Sequence, residues 1–406
     1  MQTNLSAEAT SLARATEAEQ ILRSCVHCGF CNATCPTYQL LGNELDGPRG
    51  RIYLIKQVLE GQAVTQQTQT HLDRCLSCRN CETTCPSGVR YHSLLDIGRA
   101  EVERRVGRPL GERAVRSGLR SVIPRPNVFS ALLKAGQLVR PLLPSAIRTK
   151  VPTRAPSPGK RPVTSHRRRV LMLEGCVQPS LSPNTNAAAA RVLDRLGISV
   201  SAARNAGCCG ATDYHLNAQE TGLLRARRNI DAWWPEIEGG AEAIVISASG
   251  CGAFIKEYGH LLADDAVYAR KAERVSELAR DLVEVLAQEP LEQLHPQQKK
   301  RIAFHCPCTL QHGQKLGGAV ENVLQGLGFE LTPIENSHLC CGSAGTYSIT
   351  QPVLSRQLRD NKLDALEAGQ PDEIVTANIG CQTHLGSAGR TPVRHWIELV
   401  DESLAR

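Results

Sequence analysis

Apolar positions recur at helical spacing near the start of the chain and give way to short apolar runs after residue 167. The pattern predicts a helix from about residue 7 to 21 and another over Gly50–Glu60, where Ile52, Ile55, Val58 and Leu59 share one face. Farther on, Val170–Leu173 reads as a buried strand, Ser182 or Asn184 can cap a helix over residues 185–196, and Gly197 stops it. Strands follow near residues 198–200 and at Ala243–Ile246. The same order returns with Arg301–Phe304, a helix ending at Leu327–Gly328, a strand near residues 329–331, and Glu373–Ala377. Such β, α, β, α, β alternation predicts parallel sheets covered by helices. A helix over Asn217–Trp234 would expose Arg225, Arg227 and Arg228 and send Trp233–Trp234 to a core or an interface.

Between these regions Val128, Leu132, Ala135, Val139 and Leu142 keep helical spacing, with Lys134 and Arg140 interleaved. A basic amphipathic helix of this kind suits an anionic membrane surface, an acidic partner, or packing on its own domain. Prolines then crowd residues 141–162 and favour an extended connector. Charge follows the same division. Of the net +7, the segment Arg99–Arg169 carries +15, so the rest of the chain is at −8. No run of about eighteen apolar residues indicates a membrane span. Residues 1–20 are polar and lack the apolar region of a secretory signal, so cysteine density points to metal and away from disulfides.

Eight of the seventeen cysteines form two identical frames, Cys25, Cys28, Cys31, Cys35-Pro36 and Cys75, Cys78, Cys81, Cys85-Pro86. Each is C-x-x-C-x-x-C-x-x-x-C-P, the run that holds cubane clusters in two-cluster bacterial ferredoxins. Soft thiolates suit iron in a sulfide cluster, and backbone N–H groups of so short a loop can turn toward the sulfides. Zinc needs only four ligands and has no use for the repeated third cysteine. In the ferredoxin pattern the fourth cysteine crosses over. That pattern assigns Cys25, Cys28, Cys31 and Cys85 to one cluster and Cys75, Cys78, Cys81 and Cys35 to the other.

The second cysteine system is duplicated. Cys176 to Cys208 and Cys308 to Cys340 are both 32 residues apart, and Cys209 to Cys251 and Cys341 to Cys381 are 42 and 40 apart. Two homologous halves are the economical explanation. Each carries C-C-G, Cys208-Cys209-Gly210 and Cys340-Cys341-Gly342. Adjacent cysteines suit different irons of a multinuclear cluster, and the glycine permits close approach of backbone to an inorganic core. In a parallel sheet these cysteines would gather at the carboxyl ends of strands. Cys176, Cys208, Cys209, Cys251, Cys308, Cys340, Cys341 and Cys381 are therefore candidate ligands of one or two further clusters. Cys306 is a candidate fifth ligand or a buried thiol, and His27, His215, His305, His312, His338 and His384 lie near cysteines as candidate ligands or proton carriers.

The C-C-G half resembles the cysteine-rich domains of heterodisulfide reductase subunits. It also resembles the iron–sulfur subunits of glycolate oxidase, lactate-utilisation and anaerobic glycerol-3-phosphate dehydrogenase complexes. With the two frames and the phrase Asp46-Gly-Pro-Arg-Gly-Arg-Ile-Tyr53, the resemblance covers nearly the whole chain and is strongest to the glycolate oxidase iron–sulfur subunit family. It implies a multidomain fold: an α-helical ferredoxin domain (residues 1–100), a basic connector (101–166) and two C-C-G α/β halves (167–290 and 296–406). It implies an electron-transfer subunit with two 4Fe-4S clusters, relaying electrons from a partner FAD-containing subunit that oxidises the 2-hydroxy acid. Quinone is the expected acceptor, and the cytoplasm or the inner face of the cell membrane the expected location.

One departure stands out. The heterodisulfide-type domain ends in C-x-x-C, whereas Ala248 and Asn378 take the first position of that pair here. Four cysteines per half argue against the alternative of a C-C-G domain that itself reduces disulfides or quinones. No G-x-G-x-x-G, G-x-x-x-x-G-K-[ST] or G-x-S-x-G occurs in the required context, so no flavin or nicotinamide is expected on this chain. Neither a recognition helix nor a C-x-x-C finger supports a redox-sensing regulator, and no nucleic-acid partner is expected.

Overall fold

The computed structural model describes residues 1–144, 148, 151–297 and 300–404. The chain divides into two compact units that are discontinuous in sequence: Met1–Ser117 with His338–Lys362, and Gly118–Ser337 with the chain from Leu363 onward.

The first unit is helical. Ala15–Ser24, Pro48–Leu59, Gln66–Asp73 and Tyr91–Val106 surround both cysteine frames. Their apolar faces, among them Ile21, Leu22, Ile52, Ile55, Leu59, Leu72, Leu94 and Leu95, form one core with Cys25, Cys75 and Cys81 at its edge. The helix expected from residue 7 to 21 is two helices, Ala7–Thr10 and Ala15–Ser24. Thr10 and Ser11 turn their hydroxyls onto the carbonyls of Ala7 and Glu8, the local competition that ends helices at such residues.

The second unit holds two four-stranded parallel sheets of the same topology. One has the order β2-β1-β3-β4 with β1 Arg168–Met172, β2 Ile198–Ser201, β3 Ile244–Ile246 and β4 Ala279–Asp281. The other has the order β6-β5-β7-β8 with β5 Arg301–His305, β6 Glu330–Leu331, β7 Glu373–Thr376 and β8 Val393–His395. Side chains alternate across β1. Val170 and Met172 join Ile302, Phe304 and Val375 in a core shared by both sheets, while Leu171 and Leu173 pack with Trp233, Ile244 and Ile246 on the opposite face. A sheet buried on both faces explains the uninterrupted apolar runs.

The region expected to be a connector is more helical than its prolines suggest. Leu110–Val122 and Pro126–Val139 are helices, the latter continued by one turn at Arg140–Leu142. Neither buries a residue fully, and residues 152–166 carry no helix or strand. The helix expected at Asn217–Trp234 begins at Gln219 and runs to Glu238, with Asn217 in a left-handed conformation just before it. Its arginines are not merely solvated: Arg225 pairs with Asp213, Arg227 with Asp265, and Arg228 donates to the Asn205 carbonyl. Trp233 is fully buried, whereas Trp234 donates to Glu238 and lies under Lys271. Among the described residues no helix is long and apolar enough to cross a membrane.

Candidate functional site

Helix Ala15–Ser24 delivers the chain to Cys25, and Gln66–Asp73 delivers it to Cys75. Between the cysteines of each loop, equivalent residues take left-handed backbone conformations: His27 (φ 60°) and Gly29 (84°) in the first, Ser77 (52°) and Arg79 (63°) in the second. A left-handed non-glycine residue costs roughly 1–2 kcal/mol, so three of them at matched positions mark a shape the loop is held to. Alternation of this kind turns N–H groups inward as an anion nest, and the Ser77 N–H points at the Cys75 sulfur at 3.4 Å.

The frames meet at equivalent positions. Thr34 and Thr84, equivalent in the repeat, touch through their hydroxyls at 3.0 Å. This arrangement brings Cys85 to the recess lined by Cys25, Cys28 and Cys31, and Cys35 to the recess lined by Cys75, Cys78 and Cys81. Cys81, Tyr91 and Pro48 line both recesses and form the wall between them.

None of the seventeen cysteines is joined in a disulfide. Burial pushes the Cys25 thiol up, Cys31 to about 11, and Cys81 well above its ordinary value. Converging buried thiols held protonated in this way fit a soft cationic core, which would take them as thiolates. The donor set therefore suits two iron–sulfur clusters, one per recess.

The phrase Asp46–Tyr53 builds the floor. Pro48 opens the helix Pro48–Leu59. Asp46, fully buried, accepts from His71 Nδ1 and Arg74, both at 3.0 Å. Arg51 lies 3.7 Å from Asp46, donates to the His71 carbonyl and to Thr37 Oγ1, and places a buried positive charge beside Cys35 and Cys75. Arg99 grips the Leu72 carbonyl twice, the Cys75 carbonyl at 2.8 Å and Ser77 Oγ at 3.1 Å. At the sequence level Arg99 counted only as the start of a basic segment; it is a strut of the second cysteine loop. Arg108 likewise pairs with Asp73 and Glu103, and Arg104 and Arg105 with Glu101. Of these acids Asp73 lies outside the basic segment, so part of that segment's excess is met within the unit.

In the first α/β half, Cys176 follows β1 and Cys251 follows β3, on either side of the point where the strand order reverses. The C-C-G loop completes the group, with Cys176 against Cys208, Cys208 against Cys209, and Cys209 against Cys251. Contact with its neighbours and burial hold Cys176 and Cys209 up, while donation from the same neighbours draws Cys208 down. Asn229 donates to the Cys208 carbonyl at 3.0 Å and Tyr258 to that of Cys209 at 2.5 Å. Gly210 (φ 100°) packs so closely that a Cβ there would stand 2.5 Å from the Gly222 carbonyl. Gly342 repeats this against the Ser355 carbonyl at 2.6 Å.

The second-half cysteines are distributed between the units, Cys308 and Cys381 in the second and Cys340 and Cys341 in the first. Asn378, standing where the fuller motif has a cysteine, directs its amide to the Cys381 sulfur at 3.5 Å. Cys306 is buried in the shared core. Among the candidate histidines, His27 packs edge-on against Tyr53, and His215 against Tyr214 and Phe254. His305 and His312 are buried, burial lowers His338, and His384 sits in the last turn of Ile379–Gly386. Sequence inspection missed His71, His92 and His395; the first two bond Asp46 and Glu82, and the third bonds the Ser247 carbonyl.

Comparison with known proteins agrees with this architecture. The 4Fe-4S dicluster domain family matches residues 21–89, and the cysteine-rich domain family matches residues 170–256 and 302–386. The glycolate oxidase iron-sulfur subunit of Escherichia coli K12 is 70% identical over 406 residues, all of both chains. A probable glycolate oxidase iron-sulfur subunit of Bacillus subtilis is 30% identical over 94% of each chain. Lactate utilization protein A of Bacillus licheniformis is 27% identical over 54% of this chain and 90% of its own. A helical dicluster region followed by duplicated C-C-G halves, with likeness over its whole length, places the chain in the glycolate oxidase iron-sulfur subunit family.

Proposed function

We propose that this chain is the electron-transfer subunit of a glycolate-oxidising complex, taking electrons from an FAD-containing partner and passing them toward quinone at the inner face of the cell membrane. The observation that carries this is the pair of cysteine-lined recesses, each joining three cysteines of one frame to the last cysteine of the other, with Cys81, Tyr91 and Pro48 lining both. Cys25, Cys28, Cys31 and Cys85 would hold one 4Fe-4S cluster, and Cys75, Cys78, Cys81 and Cys35 the other. Such clusters supply reversible one-electron chemistry at potentials the surrounding protein tunes. The chain's part is to fix the thiols, exclude water and place charge. Leu72, Val89 and Tyr91 keep the floor dry, Arg99 holds the second loop, and Arg51 adds a fixed positive charge. Cys176, Cys208, Cys209 and Cys251 are proposed to hold a further centre. Likeness to glycolate oxidase subunits supports the choice of substrate, and the absence of a flavin motif supports oxidation on another polypeptide.

The test is anaerobic purification with iron and acid-labile sulfide counted per chain, and dithionite reduction followed by electron paramagnetic resonance. At least about eight irons with a reduced-cluster signal are expected, four per cubane. Fewer, or zinc in their place, would overturn the proposal.

A further inference from the structure

The two cysteine loops share a spacing but differ in what surrounds them. Val26 is 67% exposed while its counterpart Leu76 is 5% exposed; Phe30 is 62% exposed while its counterpart Asn80 is 3% exposed. Cys28 is an exposed cysteine, and Cys78 is only half-exposed. The second loop is covered by the chain's own segment His338–Lys362. Asn80 donates to the His338 carbonyl at 3.3 Å, Tyr347 donates to the Arg74 carbonyl at 3.1 Å, and Tyr347 lies near both Cys75 and Cys340. Among the described residues of the unit, no such segment lies over Val26, Cys28 and Phe30, which stay exposed. Val26 and Phe30 stand two residues either side of Cys28, and the exposed Tyr53 meets His27 edge-on, an apolar collar along the loop that carries Cys28.

We infer that this collar is the docking face of the FAD-containing partner subunit, an inference that rests on the function proposed above. A flavin on another polypeptide must come close to a thiolate-ligated centre to exchange electrons, and Cys28 is the exposed thiol of the eight. Aromatic and large aliphatic side chains exposed around it are what interface centres are made of. Charge decides between occupants. The arginines nearby in the fold are already paired, Arg23 with Glu19, Arg49 with Glu44 and Arg90 with Glu17. This leaves no unmatched positive charge on them for an anionic lipid surface, and it suits a neutral, apolar protein face. A second copy of the chain seated here would bring two acceptors together without a donor. The entry face is thus the first loop, and the second loop faces inward toward the C-C-G segment of the same unit.

The experiment uses the full chain co-expressed with its FAD-containing subunit. Flavin-to-iron ratio is measured after affinity purification on this chain, for wild type, Val26→Glu, Phe30→Glu and Leu138→Glu, the last an exposed apolar site on the connector helix. Val26→Glu and Phe30→Glu should each lower the ratio at least about tenfold, as removal of an interface anchor does. Iron per chain should stay unchanged, and Leu138→Glu should match wild type. Wild-type retention should change little with salt. If Val26→Glu, which lines the first recess, or Phe30→Glu loses iron, Tyr53→Glu, outside the cysteine loop, decides by the same ratio. Full flavin retention by the collar variants overturns the inference. So does loss with Leu138→Glu in their place, or a collar change that abolishes only self-association or binding to anionic vesicles. A wild-type chain that retains no flavoprotein overturns the underlying functional reading and the inference with it, a result distinct from retention that ignores the collar.

Discussion

Sulfur is held by different means in the two units. Around the cysteine frames the grips are cationic: Arg99 on the Leu72 and Cys75 carbonyls and Arg51 between Asp46 and the second recess. In the first frame the Met1 nitrogen takes the matching carbonyls, those of Leu22 at 3.1 Å and Cys25 at 2.5 Å. Around Cys208 and Cys209 the grips are neutral, the Asn229 amide and the Tyr258 hydroxyl, and close packing at Gly210 does the rest. Two buried aspartates, Asp46 and Asp281, differ in the same way, although Asp213 of the second unit is itself held by Arg225. Asp46 is met by Arg51, His71 and Arg74. Asp281 is met by the Gln314 amide and the Val283 N–H, while Lys256 nearby is engaged by Glu284, and burial pushes its carboxyl up to about 7. The lesson is that around the frames arginine grips the cysteine loop directly, whereas around Cys208 and Cys209 the direct grips are neutral and Arg225 acts on Cys208 only through its charge.

The largest effect should come from breaking the cationic grip. Arg99→Met removes charge-assisted hydrogen bonds to two buried carbonyls, a loss of about 3–5 kcal/mol at the usual worth of bonds to a charged group. Iron per chain should fall by about four as the second recess fails, the content of one cubane. Thermal unfolding and iron analysis would show it, and an unchanged iron count would mean the grip is dispensable.

Next comes the packed loop. Gly210→Ala forces a side chain onto a left-handed residue and against the Gly222 carbonyl, at about 2–3 kcal/mol. Denaturant unfolding should show the second unit weakened while the absorbance of the two cubanes persists; simultaneous loss of both would erase the distinction between the units.

The smallest effect is a pH dependence. Folded Asp281 keeps its proton until about pH 7, whereas the unfolded carboxyl releases it near about 4. The folded chain therefore binds more protons in that window, and stability falls as pH rises through it and levels off above. Asp281→Asn keeps a capping side chain and removes the titration. Its advantage over wild type should grow by about 2 kcal/mol between pH 5 and 7.5, followed by chemical unfolding. A constant difference would show that Lys256 and Glu284 already compensate the charge.

What could be seen in the sequence was whatever depends on local spacing. Both cysteine frames, the 32-residue intervals and the apolar strands β1, β3, β5 and β7 declare themselves through periodicity. The edge strands β4, Ala-Arg-Asp, and β8, Val-Arg-His, do not, because a short charged edge lacks both an apolar run and alternation. Helix Leu110–Val122 hid within a segment judged by its prolines and charge. Arg51 and Arg99 were invisible as struts, since a buried guanidinium looks like any surface arginine until the carbonyls it meets are known. The difference between Val26 and Leu76 was equally hidden, because exposure of one repeat and not its twin is decided by a segment more than two hundred residues away.

The partition made by Cys81, Tyr91 and Pro48 has one more implication. A residue that lines both recesses cannot be altered privately for either neighbour. An isotope or an atom swapped at Tyr91 would register on both sides at once, and so would report on the couple where other labels report on the individuals.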